Sequence, residues 1–236
     1  MEEELNIPQH IGVILDGNRR WAKEKGLKTI QGHIEGSKRV EELLKNAKEL
    51  GIKNITVYAF STENFKRAEE EKKILFRLFE KMLNLYSKDA KKNKVKIRIF
   101  GDVTAFNNRI IKLAQKIEEE TKNFDECNFN ICLNYGGRDE ILRATKSIAN
   151  DILNGNLKVE DINEEIFSNK LYSANITDPD LIIRTSGEQR LSNFLTWQGT
   201  YSELYFTKTY WPDFKKEELI TAIEEFKRRK RRFGGN

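Results

Sequence analysis

Cysteine, histidine and proline are scarce in this chain, and each shortage closes off a class of chemistry. Cys127 and Cys132 are the only cysteines. They lie five apart on what reads as one strand, so their side chains point to opposite faces, which argues against a disulfide. With His10 and His33 as the only histidines, a nitrogen–sulfur metal cluster cannot be assembled. No apolar run approaches the roughly 20 residues that cross a bilayer. The opening Met1-Glu-Glu-Glu-Leu5 is acidic, unlike a secretory signal or a transit peptide, so a cytoplasmic protein is expected. Three prolines, no repeat and no Pro/Gly-rich linker leave no place for an interdomain break, and one domain over 1–236 is expected. The nucleotide fingerprints G-x-x-x-x-G-K-[ST] and G-x-G-x-x-G are missing. So is a Gly-x-Ser-x-Gly elbow, and Ser186-Gly has no histidine nearby in sequence to activate it.

Charge is abundant and nearly balanced. There are 42 basic and 37 acidic residues for a net charge of +5, compatible with an anionic ligand but not a demand for nucleic acid. Apolar and helical patterns alternate along the chain. Strands are expected at Ile11–Leu15, Asn54–Phe60, Val95–Phe100, Phe129–Asn134, Leu181–Arg184 and Ser202–Phe206. Helices are expected at about Gly32–Leu50, Glu69–Lys91, Thr104–Thr121, Arg138–Asn154, Glu164–Leu171 and Lys216–Arg232. The first five strands are apolar without clean alternation, as in strands covered on both faces. Strand then helix, repeated, gives a single α/β domain with a mostly parallel sheet of about six strands flanked by helices.

The second of these helices carries an apolar stripe from Ile74 to Tyr86 that is wider than one sheet-facing side needs. It is either buried from two sides or lines a pocket for an apolar ligand; spacing does not separate the two.

Polar clusters collect just after the strands. The run Asp16-Gly-Asn-Arg-Arg-Trp21 follows a strand directly. Asp16 there suits a hard cation such as Mg²⁺, which often bridges to substrate phosphates. Gly17 and the following amides can approach a phosphate, and Arg19 and Arg20 can grip its oxygens. A plain strand-to-helix turn with a solvated Arg pair is the bland alternative. Further clusters are Gly32-His33, Ser61-Thr-Glu-Asn-Phe-Lys-Arg67, Asn134-Tyr-Gly-Gly-Arg-Asp139 and Arg184-Thr-Ser-Gly-Glu-Gln-Arg-Leu-Ser192, with Trp197 and Glu203 beyond. Parallel strands share one carboxyl edge, so these sets converge there. Arg184, Arg190 and Ser192 are placed to clasp one phosphate, Asp16 and Glu203 to share a metal, and Arg19, Arg20 and Arg67 to serve a second anion. Phosphate recognition without nucleotide motifs, beside a greasy helix, points to a phosphorylated apolar substrate.

The motifs together resemble the cis-prenyltransferases, the family of undecaprenyl and dehydrodolichyl diphosphate synthases. The resemblance rests on His10-x₄-Leu-Asp16-Gly-Asn-Arg-Arg-Trp21, Gly32-His33, Tyr58-Ala-Phe-Ser-Thr-Glu-Asn64-Phe-x-Arg67 and Asn134-Tyr-Gly-Gly-Arg138. It continues through Asp180-Leu-Ile-Ile-Arg184-Thr-Ser-Gly-Glu-x-Arg190-Leu-Ser192, Glu203-Leu-Tyr-Phe and Trp211-Pro-Asp-Phe, almost the whole chain in order. The Asp-Asp-x-x-Asp run of the all-helical trans-prenyl synthases is absent. The family implies a hydrophobic tunnel and a Mg²⁺-dependent addition of isopentenyl diphosphate units to an allylic diphosphate, farnesyl or geranylgeranyl. The product is a long polycis chain, the precursor of a lipid glycosyl carrier; the alternatives are a short-chain synthase and a non-catalytic partner subunit. The allylic diphosphate is expected on Asp16 to Arg20, with Trp21, Phe65 and Arg67 among the substrate contacts. Isopentenyl diphosphate is expected on Arg184, Arg190 and Ser192, and Mg²⁺ near Asp16 and Glu203. Ser61, Asn64 and His33 resemble the polar residues around the reacting carbons.

Three positions depart from the family pattern: Thr29, after Lys28, where an arginine is common; Ala68, where a proline is common; and Gln189, where some members carry histidine. The tail Lys227-Arg-Arg-Lys-Arg-Arg-Phe-Gly-Gly reads by composition as a basic helix end or an anionic-surface patch. By resemblance, Arg232 and Gly234 form an Arg-x-Gly element that reaches the partner's diphosphate site in a homodimer. The basic tail is also expected to help hold the protein at membranes that receive its lipid. A nucleic-acid module would leave the strand-end clusters unexplained, and its tryptophans are scattered.

Overall fold

Six short apolar segments become strands, each parallel to its neighbours. The computed structural model describes residues 7–229. In it, β1 (His10–Ile14), β2 (Asn54–Ser61), β3 (Val95–Phe100), β4 (Cys127–Tyr135), β5 (Leu181–Arg184) and β6 (Glu203–Phe206) form one sheet. Their order is β3-β4-β2-β1-β5-β6 and every pairing is parallel. All of β1 and β5 is buried, because both faces of the sheet are covered, as continuous apolar strands require.

Helices α1 (Asn18–Glu24), α2 (Thr29–Glu49), α3 (Glu69–Asn93), α4 (Asn108–Thr121), α5 (Gly137–Leu153), α6 (Glu164–Ser168) and α7 (Lys216–Arg228) fill the connections. Residues of α2, α3, α4 and α7 pack with Ile11, Val13, Ile55, Val57, Phe129 and Ile131 into the larger core. The opposite face carries Ile14, Tyr58, Cys132 and Ile182, covered by Phe194 and Leu195 from the loop after β5. Cys127 and Cys132 are buried, free thiols on opposite faces, as their odd spacing requires. Among the described residues, no helix is long and apolar enough to cross a membrane.

The structure corrects several sequence-derived boundaries. The stretch after Asp16 winds into α1, which no apolar period announced. Gly17, at φ 105°, makes the sharp entry, a left-handed conformation that glycine adopts without penalty. A Cβ there would also stand 2.7 Å from the Tyr210 ring and 2.9 Å from Ser186 Cβ. Helix α2 begins at Thr29 and α4 only at Asn108, where the Asn107 carboxamide oxygen accepts from the N–H groups of Arg109 and Ile110. The stripe on α3 meets both of its readings: Leu75, Met82, Leu83 and Tyr86 are buried in the larger core, and the same four line a cavity.

Candidate active site

Strand β1 lies between β2 and β5, so the chain leaves it towards one side of the sheet and returns on the other. A crevice opens at the carboxyl end of such a strand, and Asp16 stands there. Its N–H donates to Thr185 Oγ1 at 3.0 Å, and the Thr185 hydroxyl donates back to the Asp16 carbonyl at 2.7 Å. Arg184, at the end of β5 and only 4 % exposed, donates from Nη2 to Asp16 Oδ2 at 2.9 Å and from Nη1 to Ser192 Oγ at 2.7 Å. Arg20, one turn along α1, lies 3.5 Å from Asp16 Oδ1 and donates to Ser186 Oγ. Burial alone would raise the Asp16 pKa; the hydrogen bond and charge of Arg184, with Arg20 beyond, outweigh it and hold the carboxyl below its ordinary value. Asp16 is therefore ionised at neutral pH.

A second polar group sits across the crevice. His33 on α2 has its Nε2 3.8 Å from Glu71 Oε1, too far for a hydrogen bond, and that nitrogen has no hydrogen-bond partner among the described residues. Glu71 also accepts from Arg67 at 3.1 Å and lies 4.0 Å from Arg19. Burial first, then the Arg67 charge, push the His33 pKa down to about 4, so the ring is neutral. At the end of β2, the Ser61 N–H donates to Asn64 Oδ1 at 3.2 Å, folding Ser61 and Asn64 into one tight turn.

Two cavities meet at these residues. A mostly apolar one of about 610 Å³ runs from Asp16, His33, Ser61 and Asn64 at the carboxyl edge down between the sheet, α2 and α3 to Tyr86 and Phe129. A second, of about 770 Å³, shares Asp16, Asn18, His33 and Arg67 with the first and is lined by Arg19, Arg20, Lys23 and Lys28. Asp16 is the only carboxylate lining it among the described residues. A cationic mouth therefore opens into an apolar interior, a shape that fits an anionic head on a hydrocarbon tail.

The structure thus brings together Asp16, Gly17, Asn18, Arg19, Arg20, His33, Ser61, Asn64, Arg67, Arg184 and Ser192. Other expected contacts lie elsewhere. Glu203 opens β6 in register with Leu181, as does Ile11 on the other side. It therefore sits at the amino edge, five residues along the strands from Asp16, on the order of 16 Å, where it accepts from Arg229 at 2.9 Å. Within one chain, Glu203 and Asp16 cannot share a metal. Arg190 contributes its carbonyl to Arg184, but its guanidinium turns outward onto Glu188, which also binds Arg20. Trp21 lines neither cavity; the Lys25 ammonium lies 5.1 Å from the centroid of its ring. Phe65 lines neither cavity either, and packs on Phe60 and Phe106. Arg232 and Gly234 lie outside the described residues. Sequence reasoning gave no task to Glu63, Glu71, Glu188 or Asn193. The one signal for Glu71 is its i+4 spacing from Arg67.

The donor set tests the expected metal. Among the described residues no three His, Cys, Asp or Glu side chains cluster to hold an ion, so there is no protein-built cage. One ionised carboxylate lining two cavities suits Mg²⁺, which takes one or two carboxylates and draws its remaining ligands from substrate phosphates and water. Asp16 fits that role.

Known proteins resemble this chain in sequence and in fold. Residues 14–234 match the family described as "Putative undecaprenyl diphosphate synthase". The chain is 48% identical over 231 residues to the isoprenyl transferase of Thermotoga maritima, covering 98% of each. It is 48% identical over 229 residues to a tritrans,polycis-undecaprenyl-diphosphate synthase (geranylgeranyl-diphosphate specific) of Thermoplasma volcanium, covering 96% of this chain and 89% of that one. Its fold is similar to lavandulyl diphosphate synthase from Lavandula x intermedia, solved with dimethylallyl diphosphate: TM-score 0.93, 34% identity, 97% and 99% of the two chains covered.

Proposed function

Since this chain belongs to the undecaprenyl diphosphate synthase family, an enzyme family that transfers prenyl groups, we propose that it adds isopentenyl diphosphate units in succession to a farnesyl or geranylgeranyl diphosphate, with Mg²⁺, to make a long polycis-polyprenyl diphosphate. The observation that carries this reading is the cationic mouth over an apolar cavity, joined at Asp16 and His33. Arg19, Arg20 and the amides after Gly17 hold the allylic diphosphate, whose tail enters the apolar cavity. Arg184 and Ser192 hold isopentenyl diphosphate, with Arg190 turning from Glu188 to join them. Asp16 would hold Mg²⁺, and the bound ion would supply positive charge to the diphosphate oxygens. Ser61, Asn64 and His33 surround the reacting carbons. A neutral His33 brings no positive charge against the cationic carbon that develops there, and the apolar wall keeps water from quenching it. The working unit is proposed as a cytoplasmic homodimer completed by Arg232 and Gly234, resting at membranes through its basic tail.

A short-chain product is the second reading, and the cavity floor favours it. From Leu75 to Tyr86 on α3 the cavity runs eleven residues, or about 16 Å. An extended C₅ unit spans about 5 Å of chain, so this stretch of the wall accompanies about three units beyond the residues at the mouth. Incubation with Mg²⁺, labelled isopentenyl diphosphate and allylic diphosphates of several lengths, followed by chromatography of the products, tests both readings. The proposed function requires elongated product; its absence with every primer refutes it. Product length separates the two readings.

A further inference from the structure

The Asn134-Tyr-Gly-Gly-Arg138 run is the one strand-end cluster to which the proposed chemistry gives no task. Its glycines introduce α5, a helix of 17 residues, and helix amides behind a glycine pair suit an anion. Protein fills that place here. Gly137 N–H donates to the Asn193 carbonyl at 2.7 Å, and Arg138 N–H donates to Asn193 Oδ1 at 2.8 Å. One residue of the loop after β5 thus caps the first amides of α5. The approach is close enough to demand glycine. A Cβ on Gly137 would stand 2.3 Å from Thr196 Oγ1 and 2.9 Å from Thr196 N, and one on Gly136 2.7 Å from Asn193 Nδ2.

The docked loop is bent hard. Ser192, Asn193 and Leu195 have φ of 49°, 66° and 45°, a left-handed region that residues with a Cβ enter at a cost. Burial holds them there: Phe194 is fully buried and stacks on Tyr58 with centroids 4.9 Å apart. The bend turns Ser192 back onto Arg184. Asn193 Nδ2 also donates to Glu63 Oε1 at 3.3 Å, in the turn that holds Ser61 and Asn64. One side chain therefore ties the start of α5 to the turn after β2, and its backbone neighbour Ser192 is the residue that meets Arg184.

We propose that Asn193 is a positioning residue: it pins the 192–196 loop into the Gly136-Gly137 socket and so fixes the Ser192–Arg184 spacing that grips isopentenyl diphosphate. This rests on the proposed substrate. Asparagine suits the place because its oxygen caps a helix and its backbone tolerates the left-handed region better than most residues.

The test is the KM of each substrate for the full chain and for Asn193→Ala, Asn193→Asp and Gly137→Ala. Loss of a cap that orients a binding group is expected to raise the isopentenyl diphosphate KM of Asn193→Ala about tenfold. The allylic KM is expected to stay within about twofold, since Arg19 and Arg20 lie on a separate element. Gly137→Ala, whose Cβ displaces Thr196, is expected to show the same split. Asn193→Asp keeps the acceptor for the α5 amide but replaces the Nδ2 donor with a carboxylate facing Glu63, so its isopentenyl KM is expected to fall between those of the alanine variant and the parent. An unchanged isopentenyl KM in Asn193→Ala overturns the proposal. So does a parallel rise of both KM values with a lowered Tm. A parent protein that elongates no primer refutes the function and not the loop docking.

Discussion

The two edges of one sheet each hold a histidine, and both rings have a pKa pushed down to about 4, chiefly by burial. Their surroundings differ in one respect. At the amino edge, His10 is satisfied on both nitrogens. A carbonyl can only accept, so Nδ1–H donates to Thr177 O at 2.5 Å. Nε2 then accepts from the Thr56 hydroxyl at 2.7 Å, and Thr56 in turn accepts from Asn130 at 2.9 Å. At the carboxyl edge, His33 lines both cavities, and its Nε2 is buried with no hydrogen-bond partner among the described residues. A depressed pKa alone does not distinguish a structural group from a functional one. An orphaned polar atom facing a cavity does, because buried polar atoms are rarely left unpaired without a use.

The sharpest break in that comparison comes at Asp16. Asp16→Ala is expected to lower turnover about 10³-fold or more, because the electrostatic centre of the site is removed. The fold should survive, since Asp16 is partly exposed and its backbone remains tied to Thr185. Turnover within tenfold of the parent, with a normal circular dichroism spectrum, would remove Asp16 from the mechanism.

The histidines themselves should exchange phenotypes. His33→Ala is expected to cost turnover about 10²-fold and stability little, since it deletes no hydrogen bond of Nε2. His10→Ala is expected to cost about 3 kcal/mol of stability by stranding Thr56 and the Thr177 carbonyl, with turnover changed by less than about threefold because the site lies at the other edge. Urea unfolding and steady-state rates on both variants check the pair. Equal loss of rate in the two would erase the distinction drawn between the edges.

Much of this geometry was legible. Short apolar runs separated by helical periods gave the parallel sheet, and parallel strands end on one edge. That rule alone placed Asp16, Ser61 and Arg184 together. Distance along the chain says nothing of strand register: Glu203 follows Arg184 in sequence, yet β6 begins level with Leu181, which separates it from Asp16 within one chain. Glu71 was hidden in Glu69-Glu70-Glu71, where helix rotation selects the one acid that faces His33 and Arg67. Trp21 and Phe65 sit within motif blocks, but α1 and the Phe60–Phe106 cluster turn them away from the cavities. The Gly136-Gly137 pair reads in the sequence only as glycines ahead of a helix, and the path of the 192–196 loop shows what packs against them.

Acid should expose the histidines together. Folded, both stay neutral down to about pH 4; unfolded, each takes up a proton near pH 6.5. Between those values the unfolded chain binds more protons, so stability falls as pH falls through that window, and neither ring contributes above it. Asp16 acts in a lower window. Its lowered pKa adds stability above the ordinary carboxylate value, lost as pH drops through its folded value. From pH 7 to pH 4 each histidine is expected to cost about 3 kcal/mol. His10→Gln should flatten part of that slope in urea titrations at several pH values. An unchanged slope would mean that His10 titrates normally.

The smallest expected effect lies at the far end of the apolar cavity. Tyr86 and Phe129 close it edge to face, with ring centroids 5.4 Å apart. Burial first, then the nearby charges of Glu41 and Asp89, push the Tyr86 pKa up. The tyrosine thus stands between hydrocarbon and the polar surface of α2 and α3. Removing the ring in Tyr86→Ala should let the growing chain advance by about one or two C₅ units, at about 5 Å each. Truncating a buried aromatic costs about 3 kcal/mol, so the comparison belongs at a temperature where both proteins are folded. Filling the middle of the cavity with Val40→Phe should shift products the other way. Chromatograms of both variants that superimpose on the parent's would show that the floor does not set product length.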